Sequence, residues 1–103
     1  MNQPDKGQTP GETAYQANPD YLYRALAGEH ILVPTGPAAL QFNGLVTLNE
    51  TGAFLWRLLE RRQTRDGLVA ALAREYGAAE AQVGEDVDRF LALAARRGLI
   101  RQG

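Results

Sequence analysis

Apolar positions change their period once along this chain. Large apolar groups are nearly absent from Met1 to Asn18, fall in short extended runs from Tyr21 to Leu48, and recur every three or four positions from Phe54 onward. The runs Tyr21–Leu26 (YLYRAL) and His30–Pro34 (HILVP) flank Ala27-Gly28, and Gly28 supplies the positive φ that a tight hairpin demands. Ile31 and Val33 share one face, and Pro34, lacking an N–H, marks a strand end or edge. Thr35 to Gly44 reads as a loop bracketed by Gly36-Pro37 and Asn43-Gly44, with Leu40 and Phe42 as plugs into the core. A short third strand, Leu45 to Leu48, then meets the helical half.

Asn49 sits at the switch. Its carboxamide can accept from the N–H of Thr51 or Gly52 and so satisfy an orphan donor at a helix start, while Glu50 suits the positive end of the dipole. The first helix runs from about Glu50 to Arg61, with Phe54, Leu55, Leu58 and Leu59 as its buried stripe and Trp56 at the core margin. Thr64 caps a second helix whose stripe is Leu68, Val69, Leu72 and Tyr76, and Gly77 closes it. The third helix spans roughly Ala79 to Arg97, with Gly98 after it and Leu99 folding back on its last turn. Gly84 inside it costs about 1 kcal/mol relative to alanine.

These elements predict an α+β fold: a three-stranded antiparallel β-sheet followed by three α-helices, related to winged helix-turn-helix architecture. Residues 1–18, rich in Pro, Gly, Gln and Thr, cannot offset the entropy of ordering and read as a flexible N-terminal tail, with Tyr15 as the one anchor. Residues 19–103 form the domain.

Composition removes several chemistries. Cysteine and serine are absent and His30 is the single histidine, so disulfides, Ser or Cys nucleophiles and multi-histidine metal centres are excluded, and no cofactor is expected. Glu85, Asp86 and Asp88 form a carboxylate cluster without a histidine, which reads as a solvated face, so no enzyme is indicated. No run is long and apolar enough to act as a signal or membrane segment, and a cytoplasmic protein is expected by default. Net charge is −1, without the basic footprint of a nucleic-acid binder. The N-terminal half of the third helix, which would enter a DNA groove, carries Glu80, Glu85, Asp86 and Asp88 and would repel phosphates. Nucleic acid is therefore disfavoured, leaving a winged-helix regulator as one rival. A protein scaffold built on Arg57, Arg61, Arg62 and Arg65 is the other; the bland reading of that cluster is a solvated helix end.

Peptide binding has a physical basis in the sheet. A terminal strand at Leu45, Val46, Thr47 and Leu48 leaves backbone groups unpaired, and an extended peptide can add there. On the third helix Val83, Val87, Phe90, Leu91 and Ala94 make the core stripe. Leu93 falls off that stripe, flanked by Asp86, Arg89, Phe90 and Arg97. Those residues can line an amphipathic groove, or Leu93 can be an ordinary exposed leucine.

An extended segment ending in LNETGAFLW, a helix ending near TRDGLVAALAREYG, and EDVDRFLALAARRGLI, in that order, resemble the PqqD family from about Tyr21 to Ile100. That resemblance implies a small domain recognising the leader of a ribosomally made precursor peptide, which adds against the third strand and packs on the third helix. By position it implicates Leu45, Val46, Thr47 and Leu48, with Asp86, Arg89, Phe90, Leu93 and Arg97. It implies a second partner, the modifying enzyme, often a radical S-adenosylmethionine protein. Both monomer and dimer remain open, because an exposed edge permits strand exchange.

Overall fold

The computed structural model describes residues 13–36, 39 and 45–103. Its elements are β1 (Ala14–Ala17), β2 (Tyr21–Leu26), β3 (Glu29–Pro34), β4 (Val46–Leu48), α1 (Glu50–Leu58), β5 (Gln63–Thr64), α2 (Arg65–Tyr76), α3 (Glu80–Arg96) and β6 (Ile100–Gln102). The α+β class holds, with three helices and the expected antiparallel sheet in the order β2-β3-β4. A second three-stranded sheet, β5-β1-β6, is also present. This corrects the extent of the tail: Ala14–Ala17 form a strand that pairs with residues at the far end of the chain, Tyr15 opposite Gln102 and Ala17 opposite Ile100. The loop plugs expected at Leu40 and Phe42 lie outside the described residues.

The β2–β3 hairpin turns on two residues, Ala27 at φ 51° and Gly28 at φ 81°, with Leu26 opposite Glu29. Two positive φ values are the signature of a type I′ turn, whose twist matches that of the strands. Register then places Tyr23, Leu32 and Val46 on one face, toward the core, and Leu22 and Leu26 on the other, where both are exposed.

Helix ends follow the local chemistry. Asn49 Oδ1 accepts from the Gly52 N–H at 2.7 Å, and Thr64 Oγ1 accepts from the Gly67 N–H at 3.0 Å. Gly77 closes α2 at φ 62°, and Gly98 follows α3 at φ 72°, where Leu99 N–H returns to the Ala94 carbonyl at 2.8 Å. Asn18 ties the β1–β2 turn to that end: its N–H donates to the Leu99 carbonyl at 2.9 Å and its side chain to the Gly98 carbonyl at 2.9 Å.

The core is packed between the β2-β3-β4 sheet and the helices. On α1 the buried arc is Gly52, Ala53, Leu55 and Trp56, continued by Leu59, while Phe54 and Leu58 sit at its border. Trp56 is thus a core residue at 2 % exposure and not a marginal one. On α2 the arc is Leu68, Val69, Leu72 and Ala73; Tyr76 is half exposed and meets Phe54 edge-on, ring centres 6.4 Å apart. On α3 it is Val83, Val87, Leu91 and Ala94. No helix among the described residues is long and apolar enough to cross a membrane.

Arg65 joins α2 to α3 through a two-pronged contact with Asp88, Nε to Oδ1 at 2.6 Å and Nη2 to Oδ2 at 3.0 Å. Gly84 makes room for it: a Cβ there would lie 3.0 Å from Arg65 Nη2. The hydrogen bonds from Arg65 hold the Asp88 carboxyl below the usual carboxylate range, and the same pairing raises the Arg65 guanidinium.

Two stability outcomes follow from these contacts. Ala27 occupies a left-handed conformation that costs a Cβ-bearing residue about 1–2 kcal/mol and that asparagine tolerates better. Ala27→Asn is expected to stabilise the domain by roughly 0.5–1 kcal/mol in urea unfolding, and a lower midpoint would contradict the turn assignment. A depressed folded-state pKa makes Asp88 stabilising above its unfolded value near pH ~4, and that contribution disappears as pH falls through the folded value. Because the pair is largely exposed, Asp88→Asn should cost less than about 1 kcal/mol at pH 7. The gap from the parent should close toward acid; a gap independent of pH would show that the charge pair is not its source.

Candidate functional site

β4 is short because its neighbours leave it little room: Asn49 must cap α1 immediately after Leu48. It pairs only with β3 among the described residues, with His30 opposite Leu48, Ile31 opposite Thr47 and Leu32 opposite Val46. Antiparallel strands direct successive residues' backbone groups to alternate sides. A two-residue hairpin makes Leu26 and Glu29 a hydrogen-bonded pair, so Arg24–Ile31 and Leu22–Val33 are too, while Pro34, without an N–H, falls at a non-bonded position. Leu32 and His30 therefore turn their amides toward β4 and engage Val46 and Leu48. The N–H and C=O of Thr47 face the other way, out of the sheet.

That edge borders a groove of about 430 Å³ whose opposite wall is α3. Val46, Thr47 and Leu48 line the strand side; Asp86, Arg89, Phe90, Leu93 and Arg97 line the helix side, with Gly52 and Ala94 between them. Eight of the nine residues singled out in the sequence thus surround one cavity. Leu45, the ninth, is 58 % exposed and does not line it. β4 begins only at Val46, and Leu45 falls just before the paired register.

The groove's depth depends on Gly52. A Cβ at Gly52 would stand 3.2 Å from Asn49 Oδ1 and 3.5 Å from both Leu48 Cβ and Phe90 Cε1. Its absence lets the first turn of α1 approach the Phe90 ring, which is half-buried at the groove floor. Leu93 lies beside it at 43 % exposure. The polar groups are distributed along the wall: Arg89 Nη1 donates to Asp86 Oδ1 at 3.3 Å, and Arg97 stands where α3 ends. Sequence reasoning had no signal for Gly52, because its role is a close approach between elements distant in the chain.

Two other features are accounted for by packing. Tyr23 Oη and His30 Nδ1 are 2.6 Å apart, and His30 Nε2 is 3.1 Å from Glu50 Oε2. The Nε2–H tautomer satisfies both: the tyrosine donates to Nδ1 and the ring donates to the carboxylate, tying β2 and β3 to the start of α1. The arginine cluster near the end of α1 is partly spent, since Arg65 holds Asp88 and Arg62 Nη2 donates to the Gly103 carbonyl at 2.8 Å.

A second cleft, of about 490 Å³, runs along β2 between the β1–β2 turn, Glu60 and Arg101. It is similar in size but offers less apolar surface to a ligand: Trp56 and Tyr21 within it are buried, and Leu22 is its one exposed large aliphatic side chain. The β4–α3 groove combines an outward-facing backbone with an accessible apolar wall, and is the better candidate.

Comparison with known proteins agrees with this architecture. No curated protein matches the chain. Among solved structures it is similar to TbiB1 in complex with the TbiA(beta) leader peptide, with 21 % identity, TM-score 0.67, and 84 % of this chain and 94 % of that chain covered. It is also similar to the PqqD truncation of Methylobacterium extorquens PqqCD, a stand-alone recognition element for ribosomally synthesised and post-translationally modified peptides. Here identity is 17 % and TM-score 0.68, covering 90 % and 93 % of the two chains. Residues 29–100 match the family described as coenzyme PQQ synthesis protein D, and that span holds β3, β4, all three helices and the groove between them: this chain belongs to the PqqD family.

Proposed function

We propose that this chain is a non-catalytic peptide-binding module that captures the leader segment of a ribosomally made precursor peptide and presents it to a modifying enzyme. The observation that carries the reading is the outward-facing backbone of Thr47 beside the amphipathic wall of α3. An extended segment laid along β4 gains strand hydrogen bonds from that edge and buries side chains against Phe90 and Leu93. Selectivity then comes from alternate side chains of the added strand, which point into the groove.

Family membership supports this reading, as does the solved relative that holds a leader peptide. The enzyme partner is supported by the relative whose recognition element is a truncation of PqqCD. In the PqqD family that enzyme is often a radical S-adenosylmethionine protein. Useful affinity would be about micromolar, near −8 kcal/mol, which a few strand hydrogen bonds and two or three buried side chains can supply. The module acts in the cytoplasm, where precursors are made.

Two substitutions test the reading by calorimetry with the leader of the precursor encoded beside this chain. Thr47→Pro removes an N–H that faces away from β3, so the sheet tolerates it better than Val46→Pro, which loses a ladder bond. Leader binding by Thr47→Pro should weaken by about tenfold or more, the equivalent of one or two hydrogen bonds. Leu93→Asp should weaken it by a similar factor while leaving the melting temperature within a few degrees, because Leu93 is already 43 % exposed. Unchanged affinity in both variants would refute strand addition at β4, and early melting of Leu93→Asp would return that leucine to the core.

A further inference from the structure

We propose that the groove selects an extended segment carrying a carboxylate two residues from a large apolar side chain, with Arg97 as the residue that reads the carboxylate. The inference rests on the strand-addition reading above and adds the chemistry of the segment taken.

The charges on the α3 wall are unequal in kind. Asp86 and Arg89 compensate each other at 3.3 Å, one helical turn apart. A carboxylate arriving at Arg89 would have to share it with Asp86 and would face like-charge repulsion there. Arg97 has no ion-pair or side-chain hydrogen-bond partner among the described residues. Its place at the C-terminal end of α3 suits the helix dipole, but leaves its planar fork of N–H donors unspent. The groove lining therefore carries two cations and one anion, and the unmatched cation sits at one end. An incoming anion is the complement of that arrangement.

Spacing turns the charge into a motif. Asp86, Phe90, Leu93 and Arg97 follow one stripe of α3. From Leu93 to Arg97 the helix advances four residues, about 6 Å, which a strand covers in about two residues. Two residues is also the repeat that returns a strand's side chain to the same face. For a strand laid along α3, an apolar side chain seated against Phe90 and Leu93 places the next side chain on that face beside the Arg97 guanidinium. Guanidinium and carboxylate are matched for a two-pronged contact, and Arg97 is exposed enough to reach it without desolvating a preformed pair.

The probe is a display library of random peptides of about twelve residues, selected in parallel on the parent protein, Arg97→Gln and Arg97→Glu, after each variant is shown to melt like the parent. Parent-selected peptides that perturb the Thr47 amide should carry Asp or Glu two residues from Leu, Ile, Phe or Val. Replacing that carboxylate by its amide should weaken binding about fivefold, with the difference shrinking at high salt. Arg97→Gln should lose the acidic preference and Arg97→Glu should replace it with Lys or Arg, both keeping the apolar anchor. The same acidic preference on all three proteins, or no charge preference on the parent, would overturn the assignment to Arg97 while strand addition stands. If no selected peptide perturbs Thr47, strand addition itself fails, and the Arg97 assignment with it.

Discussion

The site depends on how one short strand divides its backbone hydrogen bonds. Val46 and Leu48 direct theirs inward to β3, and the alternation inherent in antiparallel pairing turns Thr47 outward. Three paired residues are too few to leave a long, sticky edge, and the Asn49 cap of α1 follows Leu48 directly. An open edge normally threatens aggregation. Here it is short, and α3 walls it on one side, so that an approaching segment must fit a groove as well as a strand.

The wall is held in place by contacts outside the groove. Arg65 fastens α3 to α2 through Asp88, over the gap that Gly84 leaves. Asn18 fastens the end of α3 to the start of β2, and β6 continues directly from that end into the second sheet. At the other side Gly52 allows α1 to meet Phe90 without a Cβ between them. Val83, Val87, Leu91 and Ala94 bury the inner face of α3, while Leu93 and Arg97 remain available outside it. The buried face fixes the helix, and the exposed stripe lines the groove beside β4.

Features set by local chemistry were legible in the sequence. Asn49 and Thr64 as helix caps, the glycines that end α2 and α3, and the β2–β3 turn each involve residues within a few positions of one another. The groove was legible in outline, because helical spacing separates Leu93 from the core stripe and a terminal strand must have a free edge. The second sheet was not legible. Its strands, AYQA, QT and IRQ, are too short and too polar to show a period, and they pair across almost the whole chain. A stripe read from the large apolar residues Phe54, Leu55, Leu58 and Leu59 leaves Trp56 at the margin, whereas the buried arc is centred one residue away, on the side that carries the small residues Gly52 and Ala53. The four residues between the Asn43-Gly44 turn and the Asn49 cap put Leu45 in the expected third strand, whereas pairing starts one residue later. Gly52 carries no such signal, because only the folded chain brings it to Phe90.

The central claim is that the Thr47 amide is unpaired in the free protein and becomes a strand hydrogen bond when a leader peptide is bound. Amide hydrogen exchange by NMR, with and without saturating peptide, measures this at single-residue resolution. The account predicts fast exchange at Thr47 and slow exchange at Val46 and Leu48 in the free protein, with Thr47 becoming protected on binding. A Thr47 amide already as protected as its neighbours in the free protein, or one that stays fast when peptide is bound, would contradict it.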